Sequence, residues 1–376
     1  MAIRKYLLST AAIIAVLPEI AVAQDQAAST ADGLEEIIVT AQRQREDAQR
    51  AAVAIDVIKG DQLIAAGINQ VDSLPKLSPA LSASNGGTGS IFFVRGVGNF
   101  TVSPNSDPAI AFGYDGVDVG RPSSTTGMFY DLQRVEVLKG PQGTLYGRNA
   151  TGGAINVIPV EPQLGAFAAY LTASYGNYSA LTAEGAINVP LGENGGLRVS
   201  GSVSERDGYL RDGTGDDKTR SLRVQFKAEL TPSLTVRVAG DYSHTGGFGP
   251  GASYIGAYAY NPVAGRYQFT SPGLEKDGFY TAAAQAYRQT LGAGTAGRKL
   301  DALGPIPFAN NDFVGVNADI SYDTGAGTLT IIPAWRHAKL SLLTGAAAFS
   351  YRQREQDEQF SVEARFTGTR IGPIGY

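Results

Sequence analysis

His244 and His337 are the only two histidines in this chain of 376 residues, and it has no cysteine. A metal centre or a nucleophilic triad needs His, Cys or carboxylate groups brought close together. By the strand pattern set out below, the two histidines fall at opposite ends of their strands, so no catalytic or metal pair is expected. Asp216 and Asp217 lie in a polar stretch and read as solvated. Gly140-Pro-Gln-Gly143 lacks the Gly-Lys-Ser/Thr of a phosphate loop, and no Gly-x-Gly-x-x-Gly joins a strand to a helix. Enzyme readings therefore fare poorly, and no cofactor is implied. The net charge of −4 points away from a nucleic-acid partner.

The remaining candidates are groups that bind. Glu36, Ile37, Ile38, Val39, Thr40 and Ala41 form a short β-prone island in a polar segment. Such an island can add itself to a partner's sheet edge through main-chain hydrogen bonds. It can equally be the first strand of the domain that follows. Two later stretches are candidate contact loops: 99–108, with Asn99, Phe100 and Asn105, and 120–127, with Arg121 and Ser123. Both could as well be uninvolved turns. Tyr254, Tyr258, Tyr260 and Tyr267 offer amphipathic surface, either for contact or as an aromatic girdle at a membrane edge.

The elements that must position these groups fall into blocks. Residues 1–23 read as a secretory signal: Arg4 and Lys5, an apolar run over 6–17, then Ala21-Val22-Ala23. The apolar run is shorter than the ~20 residues a spanning helix needs. Residues 24–45 are a polar leader carrying the island. Residues 46–160 look like a compact α/β unit. Asp61 is a plausible N-cap for a helix over 62–66 that ends at Gly67, and 71–77 reads as a second helical piece. Strands with turns are expected at 91–98 and 111–117, and strand, glycine turn, strand over 131–158. From 165 to 376 the chain alternates apolar and polar residues in about eight segments, as at 222–230, 234–242, 314–322 and 360–366. Segments near ten residues with one apolar face suit a transmembrane barrel, although a soluble sandwich alternates too. The connections near 192–196, 231–233 and 323–327 are short. Those over 205–219, 244–312 and 338–357 are long, which is the asymmetry of a bacterial barrel.

The run Asp131-Leu-Gln-Arg-Val-Glu-Val-Leu-Lys-Gly-Pro-Gln-Gly-Thr-Leu-Tyr-Gly-Arg-Asn-Ala-Thr-Gly-Gly-Ala-Ile-Asn-Val-Ile158 resembles the plug domain of TonB-dependent outer-membrane receptors. Arg95-Gly96 and Tyr114-Asp115-Gly116-Val117 are similar to further plug signatures, the second one residue tighter than the family form. The island at 36–41 looks like a TonB box. The resemblance implies an α+β plug followed by an antiparallel transmembrane β-barrel, here incomplete at about 8 of ~22 strands, because a plugged lumen needs a barrel of that size. It implies a receptor in the bacterial outer membrane. Its partners would be a TonB-type energy-transducing protein, outer-membrane lipid and a small ligand, most commonly a ferric siderophore. It also implies plug arginines facing barrel glutamates, which makes Arg95 and Arg148 candidates to pair with Glu363. The rival expectation is a non-transporting truncated fragment or a plug-like interaction protein.

Overall fold

The computed structural model describes residues 37–40, 42–44, 46–85, 89–100, 106–292, 304, 307–346 and 349–368. The signal region and most of the leader, with Glu36 and Ala41, lie outside these residues, as does Asn105.

β-Branched runs build the plug. Its main sheet has five strands in the order Ala54–Lys59, Leu132–Lys139, Gly153–Pro159, Ile110–Tyr114 and Val117–Asp118. Only the Gly153–Pro159 and Ile110–Tyr114 pair is parallel. Val135, Val137, Ile155 and Val157 of the central strands have no exposed surface, and they close the plug core with Leu74, Val94 and Phe112. A second sheet joins Leu81–Asn85, Ser90–Val94 and Val97–Gly98. Two tight turns in these sheets need left-handed backbone at both central residues. Arg95 and Gly96 have φ of 51° and 81°, and Asp115 and Gly116 have 53° and 82°. That geometry matches the right-handed twist of the flanking strands and explains each glycine.

The helix after the first plug strand spans Gly60–Ala65, two residues earlier at its start than the sequence suggests. Lys59 occupies the N-cap, and Gln62 accepts its backbone N–H at 2.9 Å. Asp61 thus falls in the first turn. The second helical piece is a 3₁₀ helix at Val71–Lys76.

The wall is one antiparallel sheet of eight strands in sequence order. They are the first, Ala168–Gly176; second, Ala180–Pro190; third, Gly195–Arg206; fourth, Asp217–Thr231; fifth, Leu234–Thr245; sixth, Phe308–Asp323; seventh, Gly327–Ala346; and eighth, Phe349–Gly368. The sheet is inside-out. In the fourth strand Ser221, Arg223 and Gln225 are buried, whereas Leu222, Val224 and Phe226 are 49%, 41% and 40% exposed. A soluble sandwich would bury the apolar row. Lipid is the solvent that suits the reverse.

Two expectations are corrected here. The long loop expected over 338–357 is strand instead: the seventh and eighth strands pair without a break from Gly327↔Gly368 to Ala346↔Phe349. Beyond the lipid band the outward residues need not be apolar, so the alternation fades while the hydrogen-bond ladder continues. His337 is therefore mid-strand. His244 pairs across with Asp312, and His337 with Val314 two residues on, so both histidines lie toward the same end of the wall.

Candidate functional site

The β-prone segment at 37–40 folds back on the plug. Ile38–Val39 pairs antiparallel with Glu46–Asp47, and Val39 is fully buried. The Thr40 N–H donates to Glu136 Oε1 at 2.9 Å, and its hydroxyl lies 3.2 Å from the same oxygen. Glu136 has no exposed surface, and Arg134 Nε donates to it at 2.8 Å. A buried carboxylate needs such donors to offset its lost hydration. Arg43 continues the latch. Its N–H bonds Thr40 O at 2.9 Å, its guanidinium sits 4.5 Å from the Tyr146 ring centre, and Nη1 donates to Gly116 O at 3.3 Å.

On one side, wall arginines meet plug aspartates and tyrosines. Arg237 Nη1 donates to Asp115 Oδ2 at 2.7 Å, and the Asn317 amide donates to the same oxygen at 2.9 Å. Arg198 Nε donates to Asp131 Oδ2 at 2.8 Å, and the Tyr170 hydroxyl reaches Asp131 at 3.2 Å. Arg223 is 1% exposed; it bonds the Tyr114 hydroxyl and lies 4.5 Å over the Tyr130 ring. Burial pushes the Tyr130 phenol up to about 12 and also raises the Tyr114 phenol, the Arg223 charge opposing both. Both phenols thus stay protonated beside the cation. Arg336 makes two bonds to Asp241, at 3.1 and 3.0 Å. Gly315 lies between these two in register, and a Cβ there would strike both side chains.

The eighth strand meets the plug through Glu355, Gln359 and Glu363, every second one of its inward residues. Glu355 accepts from the Ser123 hydroxyl at 3.3 Å and lies 3.7 Å from Arg121 Nε. The Gln359 amide donates to Asp118 O at 2.7 Å and its oxygen accepts from Gly120 N at 3.3 Å. Glu363 pairs with Arg43 at 3.4 Å and with Arg365 at 3.0 Å.

The sequence-derived candidates therefore divide. Glu363 does face an arginine, but that residue is Arg43 of the leader. Arg95 is exposed, in a turn whose backbone accounts for its place. Arg148 is exposed and near Asp118, whose carboxyl burial raises while Arg148 and Arg43 pull it down. Arg121 and Ser123 are engaged with the wall. Asn99 donates to Ser106 Oγ at 2.7 Å and borders a small cleft lined by Phe92, Pro108, Ile110, Phe112 and Pro122. Phe100 is 78% exposed and packs on Phe93. Tyr258, Tyr260 and Tyr267 lie on a hairpin of the 246–307 connection, not on the wall. Sequence reasoning missed Asp115, Asp131, Tyr114 and Tyr130 with their arginines. The available signal was arginine at inward-facing positions of three successive alternating strands.

The chain thus carries a plug-like unit seated on the polar inner face of a sheet with an apolar outer face. Residues 47–154 match the TonB-dependent Receptor Plug Domain model. The pesticin receptor of Yersinia pestis is 36% identical over 129 residues, which is 34% of this chain and 19% of that protein. The iron-regulated outer membrane virulence protein of Vibrio cholerae is 28% identical over 219 residues, 53% of this chain and 32% of that one. In fold, the chain matches the ferric yersiniabactin uptake receptor FyuA of Yersinia pestis with a TM-score of 0.67 at 20% identity, over 85% of this chain and 46% of that one. It matches the pyoverdine receptor FpvA of Pseudomonas aeruginosa with a TM-score of 0.65 at 16% identity, over 90% and 47%. The chain thus spans less than half the length of each of these proteins.

Proposed function

We propose that this protein takes up a scarce ligand across the outer membrane, that the ligand is a ferric siderophore, and that a TonB-type protein drives uptake through residues 36–41. The observation that carries this reading is the latch. A β-prone segment at the plug's edge is held by a two-residue ladder and one buried carboxylate, so it can be released without breaking the plug core. Once free, its backbone would pair with a partner's sheet edge. The names of the relatives, a ferric yersiniabactin uptake receptor among them, favour an iron chelate.

The test is Ile38→Pro, which removes a strand N–H donor. Cells offered a panel of ⁵⁵Fe-loaded siderophores should bind one of them at the surface and fail to internalise it. Uptake at the wild-type rate would sink the reading.

A further inference from the structure

We infer that the outer face of the wall holds a lipid whose sugar headgroup is phosphorylated at both ends, between Lys218 and Arg220 on the fourth strand and Lys339 on the seventh. This rests on the reading of that face as lipid-facing, and not on residues 36–41. The two ends of the face differ in charge. At the end with the short turns 232–233 and 324–326, Leu234, Tyr322, Leu329 and Phe366 stand side by side in register, and none is charged. At the end with the connections 207–216 and 246–307, the matching row is Arg220, His244, Asp312, Lys339 and Gln356. Long connections lie on the external side of an outer-membrane barrel. Arg220 shares its face with the outward Leu222 and Val224, and Lys218 follows two residues further out.

The height of this row fits a headgroup. From Leu329 to Lys339 the strand runs roughly 33 Å, or about 25 Å along the membrane normal at the usual barrel tilt. That is the height of the apolar band, about 25 Å. The outward Tyr242 lies one row below the cations, where an aromatic girdle meets the interface. The cations thus stand at the level of lipid phosphates.

The anions of the collar are already engaged. Asp312 accepts from the Tyr242 hydroxyl at 2.8 Å and contacts His244 Nδ1 at 2.9 Å. Glu358 accepts from Trp335 Nε1 at 3.0 Å. Glu205 meets Arg220 at 2.6 Å, but their side chains are 42% and 70% exposed, so a lipid phosphate can replace it at little cost. Lys218 and Lys339 have no ion pair among the described residues. The fourth and seventh strands are three strand spacings apart, about 14 Å. One phosphate cannot reach both sets of cations. A disaccharide headgroup with a phosphate at each end can, whereas a zwitterionic phospholipid brings its own cation.

The test excises the protein from its own membrane and exchanges it into phosphatidylcholine nanodiscs. These carry diphosphoryl and monophosphoryl lipid A in equal amounts, and native mass spectrometry counts the lipids retained. Diphosphoryl lipid A should be held in preference, and high salt should erase the preference. Lys339→Gln with Arg220→Gln should weaken retention roughly thirtyfold. Lys339→Arg with Arg220→Lys keeps both charges and should keep the lipid. Lys227→Gln, on the inward face, should change nothing. A heat-shift gel verifies that each variant is folded. Equal retention of the two lipids, undiminished retention by the glutamine pair, or full displacement by inorganic phosphate overturns the site. A protein that does not enter the disc overturns the lipid-facing wall as well.

Discussion

Asp131 of the plug and Arg198 of the third wall strand form a buried pair, with Nε donating to Oδ2 at 2.8 Å and the two side chains 1% and 6% exposed. The polarity matters. On this side the plug supplies the anion and the wall the cation, the reverse of what the resemblance led us to expect.

Asp131→Asn leaves the Arg198 cation buried with a neutral partner. Breaking one half of a buried pair costs about 3–5 kcal/mol. The loss should appear as a lower denaturant midpoint for the plug, followed by protease sensitivity. Adding Arg198→Gln should recover part of it. If the double variant is no better than the single, the pair is not the source of the loss.

Arg43→Glu and Glu363→Arg should each loosen the Ile38–Val39 edge of the plug, and their combination should restore it. The pair is partly exposed, so each single effect is expected at about 0–1 kcal/mol. Hydrogen exchange at the Thr40 amide reports it. Absence of any recovery in the double variant would dismiss the pairing.

Glu136→Gln weakens the carboxylate that accepts from Thr40 and Arg134. Hydrogen bonds to a charged group contribute about 1.5–3 kcal/mol. Exchange at Thr40 should therefore accelerate by roughly tenfold or more, with protection at Val135 and Val157 unchanged. Equal acceleration in the core would mean that Glu136 holds the plug together rather than the box in place.

Burial raises the Asp72 carboxyl above 3.8, a hydrogen bond with Ser90 opposing, and one of its oxygens is buried without a partner among the described residues. A folded-state value above the unfolded one means the plug binds this proton more tightly than the unfolded chain does. The penalty is absent below the unfolded value and complete above the raised one. Plug stability should thus lose a contribution as pH climbs from about 4 through the raised value, and Asp72→Asn should flatten that slope. An identical pH profile in the variant would refute the assignment.

Phe226→Arg tests the inside-out wall. A cation on the lipid face costs about 2–4 kcal/mol near the bilayer midplane. Folding into lipid vesicles should lose that amount, read from a urea titration. A soluble sandwich would instead tolerate arginine on this 40% exposed side chain.

The wall strands were legible because apolar and polar residues alternate with a period of two where one face meets lipid. The same rule failed over 338–357, where the apolar residues Ala338, Leu340 and Leu342 lie on the inward face, Ala338 and Leu340 packing with Phe313, and the residues beyond Tyr351 are polar on both faces. The turns at 95–96 and 115–116 were legible from their glycines. Asp115 was readable there as a turn former, but its role toward Arg237 was not. Which arginine it meets depends on how the plug is rotated within the wall, and no local pattern records that angle. The partner of Glu363 was missed for a related reason. Arg43 sits in the leader, and only the fold-back of Ile38–Val39 onto Glu46–Asp47 carries it to the wall.

Asp115 and Asp131 both have left-handed backbone, with φ of 53° and 50°. Their carboxylates are aimed by main-chain turns that exist only in a folded plug. An unstructured segment threaded into the wall would present neither of them to Arg237 and Arg198. The two wall arginines therefore read out whether those plug turns have formed.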